Sequence, residues 1–121
     1  MIHIKPFDQR TGFCGPASLK MVLNYFGVNK SEKELAKLCN SSKERGTKSE
    51  DIVKAAKKFG FKSFIKDHCD FKDIRKYVLK QKIPIIVNWF SEYDGHYSVI
   101  VDIDSENIYL QDPEIGHLKA I

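Results

Sequence analysis

Cysteine is scarce in this chain: three residues, at positions 14, 39 and 69, an odd count with no paired spacing. That argues against a disulfide framework and favours a reducing compartment, so a cytoplasmic protein is expected. No second Cys/His pair stands at finger-like spacing from His68 and Cys69, and two adjacent residues rarely hold one metal together; neither a metal nor a cofactor is expected. Long apolar runs are also missing. The N-terminus, with His3, Lys5, Pro6 and Asp8, holds no segment long enough for a signal peptide or a membrane span, so no stable membrane insertion is expected. No linker, low-complexity run or internal repeat divides the 121 residues, which are 42% hydrophobic. Such a chain forms a single core without staples, and one domain over 1–121 is expected. Its lysines, among them Lys54, Lys57, Lys62, Lys66, Lys72 and Lys76, are interleaved with acids and lack an accompanying aromatic-basic motif. The net charge of +4 therefore reads as a solvated face rather than a nucleic-acid surface.

What is present concentrates between Asp8 and Gly27. Cys14 stands at the joint of a polar loop and a helix, with Pro16 suited to the first helical turn and Gly27 to the residue past the last. The positive end of a helix dipole and the free amides of its first turn stabilise a thiolate, and the same amides can hold a developing oxyanion. Gln9, just before, offers a side-chain amide as a second donor.

Apolar spacing predicts a mostly buried helix over Pro16 to Phe26, after a weakly alternating Ile2 to Phe7 that suits a short edge strand. Ser31 and Glu34 form a capping box for a helix to Cys39, which is read as a core residue. Thr47 and Glu50 form a second box for a helix carrying Ile52, Val53, Ala55, Ala56 and Phe59 and ending at Gly60. A short strand is expected at Phe61 to Ile65, then a helix Phe71 to Lys80 capped by Asp70. From Ile83 the character changes. Strands are expected at Ile83 to Trp89, His96 to Ile103, Ile108 to Gln111 and His117 to Lys119, with Asp94-Gly95 as a turn. A helical half, about 8–80, followed by an antiparallel meander, about 83–121, gives an α+β fold.

A thiol needs a base, and the base needs an orienting group. His96 opens one strand and Asp112 closes the next. If Asp102 pairs with Ile108, then Ile100 faces Leu110, Ser98 faces Asp112, and His96 lies diagonal to Asp112, roughly 7–8 Å away at the backbone. A shift of one residue would put them on opposite faces. His3, His68 and His117 are rivals for the base, but none begins a long apolar strand beside an acid-bearing partner. Trp89, Phe90, Tyr93 and Tyr97 fall near this end as either groove lining or core.

Gln9, then Cys14-Gly15-Pro16-Ala17-Ser18 with Met21-Val22-Leu23 and Tyr25-Phe26-Gly27, then Gly95-His96-Tyr97, then Tyr109-Leu110-Gln111-Asp112-Pro113 with Gly116, resemble the papain-like peptidase family that processes bacteriocin leader peptides. The resemblance spans nearly the whole chain. It implies a papain-like fold, with Cys14 as nucleophile, His96 as base, Asp112 as orienter and Gln9 as oxyanion-hole donor. Gln9 stands one residue nearer the cysteine than the family's glutamine usually does, so either the loop is tighter or Gln9 stops short of the hole. The resemblance implies a cysteine peptidase that acts on a peptide or protein through an acyl-enzyme, in possible association with an exporter. Two alternatives stay open: a module that binds peptides without cutting them, and an acyl transferase of phytochelatin-synthase-like type.

Overall fold

The computed structural model describes residues 2–5, 7, 13–42, 46–67, 70–90, 95–114 and 116–120. Among the described residues four α-helices, the last continued by a π-helical turn, precede four strands: α1 Cys14–Tyr25, α2 Glu32–Leu38, α3 Ser49–Lys58, α4 Phe71–Arg75, β1 Ile85–Phe90, β2 Gly95–Ile103, β3 Ile108–Asp112 and β4 Gly116–Ala120. The strands form one antiparallel meander in the order β1-β2-β3-β4. Helices and strands are segregated along the chain, as expected.

α1 is the central helix. Gly15 through Leu19, Met21 and Leu23 are all buried. It starts two residues earlier than its apolar spacing indicates, at Cys14 itself, because the first turn tolerates Pro16 without its N–H. Gly27, at φ +87°, takes the left-handed conformation that closes a helix. β2 is the central strand, and His96 to Val101 are buried without interruption. Such a run, rather than alternation, marks a strand covered on both faces. One core cluster joins Val99, Ile100 and Val101 to Met21, Ile74, Val78 and Ile2. A second joins Leu19, Leu23, Leu35, Cys39, Ile52 and Tyr97. Cys39 is fully buried, as expected, and burial pushes its thiol up to about 11.

Several local expectations fail. Thr47 is not a cap: α3 begins at Ser49 after Lys48, with no side-chain cap bond, because the Thr47 hydroxyl pairs with Ser41 Oγ at 2.6 Å. Phe61 to Ile65 is not a strand; its alternation is real, but it pairs with no strand of the sheet. Of the strand expected at Ile2 to Phe7, the described residues 2–5 and 7 form none, although the Ile2 N–H donates to Val101 O at 2.9 Å. The helix expected from Phe71 to Lys80 under an Asp70 cap is present, α to Arg75 and then a π-helical turn over Lys76–Lys80. Asp102 pairs with Tyr109, not Ile108, and the register shifts between Ile100 and Asp102. The cause is the turn. Asp104 Oδ1 accepts the N–H groups of Glu106 and Asn107, an Asx-type closure that starts the hairpin at Ile103 and Ile108. A bulge at Val101 absorbs the extra residue and restores Ile100 opposite Leu110.

Candidate active site

Cys14 is the first residue of α1 and half-buried. The residue before it, Phe13, supplies no side-chain cap, and no acid stands in the first turn. The helix's own first turn thus adds no carboxylate against the positive end of its dipole. Gly15 has a steric reason to be glycine: a Cβ there would lie 2.7 Å from the Cβ of Thr47. Thr47 is pinned in turn. Its carbonyl accepts the Tyr97 hydroxyl at 2.8 Å. That commits the single tyrosine proton, so the Ser49 hydroxyl, 3.0 Å away, donates to Tyr97. β2 and the loop before α3 therefore grip the start of the helix that carries the thiol. Tyr97 belongs to the core rather than to a groove.

His96, the second residue of β2, is 7% exposed. Its Nε2 lies 2.7 Å from Asp112 Oδ2, at the end of β3. Ser98, two residues along on the same face, donates its hydroxyl to that same oxygen. Asp112 Oδ1 accepts the N–H of Glu114 at 2.8 Å. The His96 and Ser98 contacts follow from the register: with Ile100 opposite Leu110, the bulge leaves both on the face of Asp112, while the Glu114 bond is a local turn contact. Since Nε2 is engaged, Nδ1 is the ring atom left for the Cys14 thiol. Hydrogen bonding to Cys14 is the chief cause that lifts His96 from 6.5 to about 9; burial opposes it and the Asp112 charge adds to it. The imidazolium is thus favoured at neutral pH. Glu114 Oε2 stands 3.8 Å from Nδ1.

Of the residues expected at the site, the structure brings Cys14, His96 and Asp112 together. Gln9, Tyr93, His68 and Cys69 lie outside the described residues, as do the side chains of Trp89, Phe90 and His117. His3 is exposed. Among the described residues no group of three His, Cys, Asp or Glu side chains can hold a metal. Ser98, Glu114 and Thr47 had no part in the site read from the sequence. Ser98 had a signal, a small polar residue inside an apolar strand at the position opposite Asp112. Thr47 had none, since its role depends on the fold.

Compared with known protein families, residues 7–120 match the peptidase C39 family. The chain belongs to that family. Two uncharacterized proteins are similar to it. One, from Methanothermobacter thermautotrophicus, is 34% identical over 93% of this chain and 73% of its own length. The other, from Methanothermobacter marburgensis, is 33% identical over 92% and 72%. The peptidase domain of Streptococcus ComA, a bi-functional ABC transporter involved in a quorum sensing pathway, superposes with a TM-score of 0.77 at 28% identity, over 98% of this chain and 85% of that one. A double glycine motif protease from an AMS/PCAT transporter, in complex with its leader peptide, gives a TM-score of 0.76 at 24% identity, over 98% and 79%. The fold of this C39 chain is papain-like α+β, as the resemblance implied. Family and fold together support a cysteine peptidase. Among the described residues no helix is long and apolar enough to cross a membrane.

Proposed function

We propose that this protein is a cysteine peptidase of the double-glycine type, which cuts a leader from a cargo peptide by way of Cys14, His96 and Asp112. One observation carries the reading: the His96 imidazole both pairs with the buried Asp112 carboxylate through Nε2 and hydrogen-bonds to Cys14. The Cys14 sulfur attacks the carbonyl carbon of the scissile amide. The resulting oxyanion is held by backbone N–H groups at the start of α1, with Gln9 as a further donor. His96 passes its Nδ1 proton to the leaving nitrogen, the C–N bond breaks, and the acyl group stays on sulfur as a thioester. Water then gives a proton to Nδ1 and attacks the thioester, the C–S bond breaks, and the acid leaves. Asp112 fixes the ring orientation throughout.

A peptide substrate longer than the cleft is supported by the far end of the molecule. Residues 61–83 contain seven Lys/Arg and three Asp/Glu, so the whole net charge of +4 falls in this stretch. Phe64, Ile65, Phe71, Leu79 and Ile83 are exposed there, and the exposed Phe26 packs on Phe61 at 5.4 Å. An amphipathic leader with acidic and apolar faces fits such a surface. The direct test incubates the protein with peptides containing a Gly-Gly pair and follows the products by mass spectrometry. Cleavage after the pair, lost in Cys14→Ala, is expected; cleavage that persists in that variant overturns the assignment.

A further inference from the structure

Glu114 is not buried with the imidazole as Asp112 is, yet its carboxylate lies at the one edge of the ring that the reaction uses. Its backbone N–H donates to Asp112 Oδ1 at 2.8 Å, so the residue is anchored to the carboxylate that orients His96. Its side chain is 64% exposed, with Oε2 3.8 Å from His96 Nδ1. Among the described residues no lysine or arginine pairs with it.

We propose that Glu114 is a specificity-determining residue that selects a basic side chain on the residue immediately following the scissile bond. This rests on the peptidase reading above. Nδ1 is the atom that hands its proton to the leaving nitrogen, so that nitrogen must come within hydrogen-bond distance of Nδ1. A carboxylate 3.8 Å from the same atom faces the residue to which the leaving nitrogen belongs. The charge on that residue's side chain then meets Glu114 at the rim of the cleft. Lysine or arginine is attracted, and aspartate or glutamate is repelled. Because Glu114 is exposed, the effect is modest and screened by salt, about two- to fivefold for each sign of charge.

The test is a competition at low salt between two peptides identical except for Lys or Glu directly after Gly-Gly, with wild type, Glu114→Gln and Glu114→Lys. Wild type is expected to cut the Lys peptide at least about fourfold faster by kcat/KM, Glu114→Gln to lose the difference, and Glu114→Lys to reverse it. A wild-type ratio of one, or a ratio unchanged in Glu114→Gln, overturns the proposal. A second arm measures binding of the same uncut peptides to Cys14→Ala with and without Glu114→Gln. If wild type cuts neither peptide, the peptidase reading fails, and binding alone decides Glu114. Tighter binding of the Lys peptide that is lost with Glu114→Gln upholds its role; equal binding rejects it.

Discussion

Asp112 has both carboxylate oxygens occupied: Oδ2 takes His96 and Ser98, and Oδ1 takes the Glu114 N–H. Removing its charge and removing its support are therefore separable. Asp112→Asn keeps the shape but loses the anion that favours the imidazolium, and kcat/KM is expected to fall on the order of 10² to 10⁴-fold. Ser98→Ala removes one hydrogen bond to that anion and is expected to cost about tenfold. Steady-state kinetics on one peptide distinguishes the two. pH gives an independent reading. In the proposed mechanism His96 acts as an acid only while protonated, so its lift from 6.5 to about 9 is expected to move the alkaline limb of kcat/KM to about 9. The sign for stability follows from the same lift. The imidazolium stabilises the fold fully below pH 6.5, and this is lost as pH rises through about 9. Urea titrations at pH 6 and 9.5 are expected to show that decline in wild type and a smaller one in His96→Gln. His96 and Asp112 were legible because strand alternation and a turn signal suffice to put them on one face. The register estimate was off by one near the turn, and the bulge at Val101 cancelled the error. Thr47 was misread because a hydroxyl three residues before a glutamate looks like a cap whatever else it bonds.

At the scale of elements, the start of α1 is held from outside rather than capped from within. Gly15 lets Thr47 approach, and Tyr97 and Ser41 hold Thr47 in place. Gly15→Ala forces a contact at 2.7 Å with a Cβ and is expected to destabilise the protein by about 1–3 kcal/mol while displacing Cys14. Thr47→Ala removes the contacts at 2.8 and 2.9 Å but leaves that Cβ in place. Only Thr47→Gly removes it, so the Gly15→Ala/Thr47→Gly pair is expected to couple favourably in a double-mutant cycle read by thermal unfolding. The helices were legible from their caps and apolar spacing, because those signals are local. The extended segments at Ile2–Ile4 and Phe61–Ile65 were not, because a strand exists only where a neighbouring edge accepts it. Their residues alternate in either case.

Across the whole molecule, chemistry and charge are at opposite ends of α1, a helix of twelve residues and hence about 18 Å long. Cys14 begins it, and Phe26, beside the basic and apolar stretch 61–83, follows its end. A substrate that uses both ends must be extended over that span. Phe64→Ser with Phe71→Ser is expected to raise KM for a leader-length peptide about tenfold or more and to leave kcat/KM for a short Gly-Gly peptide unchanged. An equal effect on both peptides would remove the far surface from substrate binding. The central claim is narrower, that a single thiol activated by His96 attacks the substrate. It is tested most directly by treating the protein with a peptide ending in Gly-Gly vinyl sulfone and locating the adduct by peptide mapping. The account predicts one adduct, on Cys14, formed at least about a hundredfold more slowly in His96→Ala, with Cys39 unmodified. An adduct on another cysteine, or a Cys14 adduct that forms equally fast without His96, would contradict it.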